Sequence, residues 1–329
     1  MPIITSPQDF NVDDLYVDLR RVIDRPLFLK CEGFNFAGSV KLKAAAAMVE
    51  AAQREGLLAP GSTIVESSSG NLGIALSLIA ADRGLRFVCV TDPRCNPASV
   101  RLMRALGAEV RVIADKDANG GYLGGRIKYV RELCASGGGY VWLNQYANRN
   151  NWLAHYRGTA PAIDKQFPDL EVLFVGAGTT GTLMGCARYF REHRRPVTIV
   201  AVDAVGSVTF GGIPERRMVP GLGTSARPAL VDESLIDDVV HVAEPDTIRT
   251  VHALAARGFL FGGSTGTVVS GASRWLDAKY PGEQPVAVAI APDLGERYLD
   301  SLYDEGWLGE HFGDVLAGLD LPAAGIVGV

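Results

Sequence analysis

Eight short runs rich in β-branched and apolar residues alternate along the chain with stretches of helical spacing, and this alternation limits the fold more than any other feature. The runs cover residues 62–67, 86–91, 109–114, 140–145, 172–176, 198–203, 238–242 and 286–291. They are continuous apolar runs more often than strictly alternating ones, as strands buried on both faces must be. Parallel strands need long crossovers, and the intervening stretches supply helices with readable ends. Asn96-Pro97 reads as N-cap and first helical residue, and Gly107 as the stop. A second strand series opens at Val172, and 329 residues at roughly 150 per domain give two α/β lobes.

Composition removes several classes of partner. Lys plus Arg number 32 against 37 Asp plus Glu, a net charge of −5, which is no basic footprint for nucleic acid. No apolar run reaches the roughly 18 residues of a membrane span. The first residues lack the basic and apolar regions of a signal peptide, so the expected location is cytoplasmic. Cys31, Cys89, Cys95, Cys134 and Cys186 have no metal-binding spacing and read as reduced core thiols. No metal is expected.

In parallel α/β sheets ligands sit at the carboxyl ends of strands, and three glycine-rich turns stand there. Gly176-Ala177-Gly178-Thr179-Thr180-Gly181-Thr182 fits G-x-G-x-x-G, with Asp203 at the end of the next strand. Alone, that turn supports a nicotinamide-dependent dehydrogenase. Such an enzyme places the fingerprint in its first βαβ unit, however, whereas here four strand runs precede the one leading into it. The physics of the turn is only that backbone N–H groups at a helix start hold phosphate. Gly262-Gly263-Ser264-Thr265-Gly266 fits a nucleophile elbow with Asp293 and His311 as later partners. His311, though, is the only histidine after Ser264 and lies in a polar C-terminal stretch. The third turn, Glu66-Ser67-Ser68-Ser69-Gly70-Asn71-Leu72-Gly73, offers hydroxyl, amide and backbone donors in a small arc, a nest suited to a carboxylate. A carboxylate site and a phosphate site together imply a ligand set with two anionic ends.

The chain has only seven lysines, and one of them, Lys41, stands where a helix begins, over residues 42–52. A helix N-terminus opposes a positive charge, favouring the neutral amine that Schiff-base chemistry needs.

Gly38-Ser39-Val40-Lys41, Ser68-Ser69-Gly70-Asn71, Gly178-Thr179-Thr180-Gly181-Thr182, Gly263-Ser264-Thr265-Gly266 and Pro292-Asp293-Leu294-Gly295-Glu296-Arg297-Tyr298-Leu299 together resemble the cysteine synthase/cystathionine β-synthase family of fold-type II pyridoxal 5′-phosphate (PLP) enzymes. The motifs follow the family's order over most of the chain. The resemblance implies two three-layer αβα lobes of tryptophan synthase β-like architecture. Residues 1–12 and 38–148 would form a smaller mobile domain, and 13–37 and 149–329 a larger one holding the cofactor phosphate. It implies Lys41 as the Schiff-base lysine and proton shuttle, and Asn71 on the 3′-oxygen of PLP. Gly178, Thr179, Thr180, Gly181 and Thr182 would hold the phosphate and Ser264 the pyridine nitrogen, with Ser68, Ser69, Asn71 and Gln145 on the substrate carboxylate. A homodimer is implied as well.

Departures from ordinary cysteine synthases carry further information. Leu72 stands where threonine is usual, Thr180 where glycine is usual, and Lys43 where many relatives have arginine. With the runs 117–123, 142–148 and 202–208 these resemble a branch joining O-phospho-L-serine and L-glutamate into N-(2-amino-2-carboxyethyl)-L-glutamate through an α-aminoacrylate. That branch feeds 2,3-diaminopropionate into siderophores and peptide antibiotics. Arg126 and Tyr146, inside or beside those runs, are the candidates for the extra anionic groups of its substrates. The competing readings are a cysteine synthase using O-acetyl- or O-phosphoserine with sulfide, and a catalytically inactive scaffold of the same fold. Lys41 argues against the scaffold.

Overall fold

The computed structural model describes residues 3–10, 12–116 and 121–319. Residues 117–120 of the run 117–123, and the tail 321–329 that reads as a frayed end in the sequence, lie outside the described residues, as do residues 1, 2, 11 and 320. Two sheets organise the chain. The first has four parallel strands in the order β5-β4-β3-β6, formed by β3 (Thr63–Ser67), β4 (Arg86–Thr91), β5 (Glu109–Val112) and β6 (Tyr140–Trp142). The second has six strands in the order β1-β2-β10-β7-β8-β9. Its members are β1 (Tyr16–Asp18), β2 (Leu27–Cys31), β7 (Val172–Gly176), β8 (Thr198–Ala204), β9 (Asp238–Val242) and β10 (Ala287–Ala291). Only the β1–β2 pair is antiparallel.

The helices are α1 (Arg20–Ile23), α2 (Lys41–Arg54), α3 (Asn71–Asp82), α4 (Pro97–Ala105), α5 (Leu123–Ala135), α6 (Arg149–Ala154), α7 (Ala160–Gln166), α8 (Gly181–Glu192), α9 (Glu244–Ala255), α10 (Gly263–Lys279) and α11 (Glu305–Phe312). A π-helical turn, His155–Thr159, joins α6 to α7. As expected, Asn96 caps α4 by accepting the Ala98 N–H, and Gly107 follows the helix at φ +86°.

Successive strand residues face opposite sides, and the cores divide accordingly. On the six-stranded sheet, Val172, Phe174, Val200 and Val202 pack under Val268, Ala272 and Leu276 of α10. Their neighbours Leu173, Val175, Ile199 and Ala201 pack under Leu183, Cys186, Ala187 and Phe190 of α8. On the four-stranded sheet, Ile64, Phe87 and Cys89 face α2, α3 and α4, while Val65, Val88 and Val90 face Val130 of α5. Each sheet is therefore the middle of three layers. All five cysteines are free thiols. Among the described residues no helix is long and apolar enough to cross a membrane.

All eight expected strand runs form strands, but β1 and β2 are additions. β2 hides its signal because Lys30 interrupts the apolar run. That lysine is fully buried, donates to the Asp13 carbonyl, lies 3.5 Å from Glu32 and sits over the Tyr16 ring. β1 is too short for a periodicity to register.

Close packing makes one glycine testable. A methyl group at Gly185 in α8 would overlap the Trp152 carbonyl oxygen and the His155 Cβ, whereas Gly309 in α11 faces open space. Gly185→Ala should lose about 1–3 kcal/mol in urea unfolding, and Gly309→Ala should be neutral or gain up to about 1 kcal/mol. Equal effects would contradict the α6–α8 packing.

Candidate active site

Lys41 is the first residue of α2. The turn before it is built by Asn35, whose Oδ1 accepts the Ala37 and Ser39 N–H groups at 3.0 and 3.4 Å, while its Nδ2 donates to the carbonyls of Glu32 and Ser39. Gly38 takes φ +62° there, and the Arg297 side chain fills the space a Cβ would need. The Val40 N–H donates to the Pro292 carbonyl at 2.7 Å, and Ser39 bridges to Asp293. Burial pushes the Lys41 ammonium below the ordinary lysine range, and the Asp293 charge opposes that shift.

The serine-rich turn joins β3 to α3. Ser68 Oγ accepts the Gly70 and Gly73 N–H groups at 3.3 and 2.9 Å, leaving its own proton to donate; Ser69 is exposed at the tip. Asn71 opens α3, and Leu72 turns into the apolar cluster below, so position 72 offers no polar group. Gln145 is buried beside this turn, donating through Nε2 to the Ser67 carbonyl at 2.8 Å. Its placement depends on Glu66, a residue whose role the sequence did not reveal. Glu66 is fully buried and accepts from Trp142 Nε1 at 3.0 Å and from the Ser67 and Gln145 N–H groups at 2.9 and 3.2 Å. Burial pushes its carboxyl up to about 7.

The turn at the end of β7 is held from three sides. Thr180 takes the left-handed φ of +65°, and its buried hydroxyl has no hydrogen-bond partner among the described residues. A methyl group at Gly181 would overlap the Asn151 side chain, and one at Gly178 would come within 3.0 Å of the Gly221 carbonyl. Gly221, at φ +111°, lies directly against the Ser264 hydroxyl at the start of α10. Asn151 Nδ2 donates to Thr179 Oγ1 at 3.0 Å and to the Gln145 carbonyl at 2.7 Å, linking the phosphate-type turn to the carboxylate-type turn. Thr182 Oγ1 lies 3.3 Å from His155 Nε2, whose Nδ1 lies 3.0 Å from Thr159 Oγ1, which in turn accepts from Lys43 Nζ at 3.3 Å. Burial, with Lys43 and Lys41 nearby, keeps the His155 imidazole well below its ordinary range and therefore neutral.

A helix start with unspent N–H groups and an unpartnered buried threonine hydroxyl is a phosphate cradle. Together with a low-basicity lysine at a neighbouring helix start, it fits a phosphorylated aldehyde cofactor. Residues 16–293 match the profile of the family described as pyridoxal-phosphate dependent enzyme.

The chain belongs to the pyridoxal-phosphate dependent enzyme family.

Its cofactor is pyridoxal 5′-phosphate. Among relatives, the chain is 42% identical over 298 residues to the N-(2-amino-2-carboxyethyl)-L-glutamate synthase of Ralstonia nicotianae, covering 89% of this chain and 87% of the relative. It is 41% identical over 298 residues, with the same coverage, to the protein of that name from Cupriavidus metallidurans. Among solved structures, an O-ureido-L-serine synthase superposes with a TM-score of 0.83 at 33% identity, covering 94% of this chain and 100% of that one.

Family membership replaces the dehydrogenase reading of the G-x-G-x-x-G turn. Family membership likewise replaces the hydrolase reading, and the contacts of His311 are an edge-on packing against Trp307 and a 4.0 Å approach to Glu310. Asp293 is instead buried next to Asn71. Arg126, in the first turn of α5, is 7% exposed and lies 3.4 Å from Asp92; its Nε and Nη1 have no hydrogen-bond partner among the described residues. Tyr146 is half-buried nearby, its phenol pushed up by burial and drawn back by the Arg126 charge. Asn151 and Gly221 carried no sequence signal, and Arg297 only as part of a family motif with no role attached, because each acts through a neighbour distant in the chain.

The Glu66 carboxyl gives a signed pH prediction. Its folded value of about 7 lies above the ordinary glutamate value of 4.5, so the folded state binds the extra proton and stability falls as pH rises through that window. The loss should total about 3 kcal/mol. Urea unfolding of wild type and Glu66→Gln from pH 4.5 to 8 should converge or cross in that sense, and parallel profiles would contradict the assignment.

Proposed function

We propose that this enzyme replaces the phosphate of O-phospho-L-serine with the amine of L-glutamate, giving N-(2-amino-2-carboxyethyl)-L-glutamate and phosphate. The observation that carries the reading is the pair of relatives bearing that synthase's name at 42% and 41% identity along most of the chain. Bound PLP supplies an electron sink that makes the serine α-proton removable and lets the β-substituent depart. The protein's own residues do the remainder. Lys41 would hold the cofactor aldehyde and, as a free amine, would take the proton from the substrate Cα and later return it, a task its lowered basicity suits. Gly178, Thr179, Thr180, Gly181 and Thr182 hold the cofactor phosphate. Ser264 meets the pyridine nitrogen with a neutral hydroxyl, which does not keep that nitrogen protonated as a carboxylate would. Ser68, Ser69, Asn71 and Gln145 receive the substrate carboxylate.

The second anionic group falls to Arg126 and Tyr146. Arg126 is buried with its Nε 3.4 Å from Asp92 Oδ2, and its Nη1 has no hydrogen-bond partner among the described residues, so the guanidinium is poised to accept a further anion. That anion is the phosphate of the donor or a carboxylate of the acceptor.

The lobes follow the same reading: residues 1–12 with 38–148 form the smaller, mobile domain, and 13–37 with 149–329 the larger. Ser6 donates to Asp82 at 2.7 Å and Arg83 to Gln8 at 2.9 Å, which supports placing the described N-terminal residues with α3. Closure of the smaller domain would exclude water from the reacting carbon. A cytoplasmic homodimer completes the reading, on family resemblance.

Incubating the holoenzyme with O-phospho-L-serine and, separately, glutamate, sulfide and other amines, then weighing the products, tests it. The glutamate adduct should dominate with one phosphate released per product; cysteine as the main product would make the enzyme a cysteine synthase. Arg126→Ala should raise the KM for O-phosphoserine or glutamate about tenfold or more while PLP stays bound. An unchanged KM for both would remove Arg126 from the site.

A further inference from the structure

We infer that Asp293 and Arg297 act together as a positioning pair that locks the Asn71 side-chain amide so that it can meet the cofactor only as a hydrogen-bond donor. The inference rests on the reading above that Asn71 faces the 3′-oxygen of PLP, and it assigns the two residues that decide what Asn71 offers there.

An asparagine amide has two ends that differ in chemistry but hardly in shape, so its orientation is set by its neighbours. Both neighbours here are single-minded. Arg297 Nη1 lies 2.5 Å from Asn71 Oδ1, and a guanidinium can only donate, so that oxygen accepts. Asp293 Oδ2 lies 2.8 Å from Asn71 Nδ2, and a carboxylate can only accept, so that nitrogen donates. The Tyr298 hydroxyl donates to the same Oδ2. With the carbonyl taken by Arg297 and one N–H by Asp293, Asn71 retains one N–H. The 3′-oxygen of PLP accepts such a bond best when ionised, so the clamp favours the ionised form.

The pair is built into the fold. Arg297 also donates to the Ala37 carbonyl, and its own carbonyl accepts from Asn96 Nδ2 at 2.6 Å. Asp293 is 1% exposed, and two glycines leave room for the clamp. A methyl group at Gly262 would overlap Asp293 Oδ1, and one at Gly38 would overlap Arg297 Nη2. Burial raises the Asp293 carboxyl, while Tyr298, Asn71, Arg297 and Lys41 all pull it back toward ionisation.

The test reads the bound cofactor's absorbance in the holoenzyme without substrate, so its outcome is independent of which donor or nucleophile the enzyme uses. The long-wavelength band reports the ionised 3′-oxygen and the short-wavelength band the neutral one. Asn71→Ala and Asp293→Ala should each lower the ratio of the two bands roughly tenfold, the effect of one lost bond to a charged group. The double variant should fall no further than either single variant. Arg297→Met should reproduce the effect and Arg297→Lys, which keeps a donor, should largely restore the ratio; this pair keeps the test open if Asp293→Ala does not fold. PLP retention through dialysis should weaken in parallel. A wild-type ratio in both Asp293→Ala and Arg297→Met, or full additivity in the double variant, would overturn the clamp. A wild-type ratio in Asn71→Ala would overturn the placement of Asn71 on the cofactor and the clamp with it. Neither result would bear on product identity.

Discussion

Lys41, the lysine proposed to carry the cofactor, sits beside a buried carboxyl whose charge favours the ammonium, and this opposition between burial and the Asp293 charge sets the balance at the proposed site. Burial lowers the Lys41 amine and raises the Asp293 acid. Tyr298 and Asn71 donate to Asp293 and Arg297 lies close by, and each pulls the acid back toward ionisation against its burial. Oδ2 is taken up by that network while Oδ1 has no hydrogen-bond partner among the described residues, and the amine stands at a helix start whose dipole disfavours a cation. Any change to Tyr298, Asn71 or Arg297 would alter that balance without touching the lysine.

The two sheets have separate apolar cores, and asparagines supply much of the polar connection between them. Asn71 reaches Asp293 and Arg297, Asn96 reaches the Arg297 carbonyl, and Asn151 ties the Gln145 loop to Thr179. Amide contacts can be exchanged for water at modest net cost, whereas parting a shared apolar core would expose surface at about 25 cal/mol per Å². A joint made this way suits the lobe closure proposed for the catalytic cycle. It also places the residues that would bind substrate on the same side chains that report the position of one lobe to the other.

Much of this was legible in the chain. Strands buried on both faces announce themselves as apolar runs, which is why eight of them could be located, and helix-start glycines and serines mark the turns where they end. What escaped had a physical reason. β2 was hidden because Lys30 is tolerated in a strand core only through Asp13 and Glu32, partners that no local pattern reveals. Asp293 invited the role of a triad acid because its spacing from Ser264 was visible, while its contact with Asn71, 222 positions away, was not. Gly221 looked like any loop glycine until the Ser264 hydroxyl was found against it. Glu66 lay inside the serine-rich turn, yet its part in placing Gln145 depends on Trp142 and on a backbone N–H from across the fold.

The proposed site has Lys41, and no other lysine, carrying the cofactor where the two lobes meet. Borohydride reduction of the purified holoenzyme, followed by proteolysis and mass mapping, tests it most directly. A single pyridoxyl group on the peptide containing Lys41 is the expected result. A pyridoxyl group on Lys43, only two residues along the same helix, or on any other lysine would contradict it.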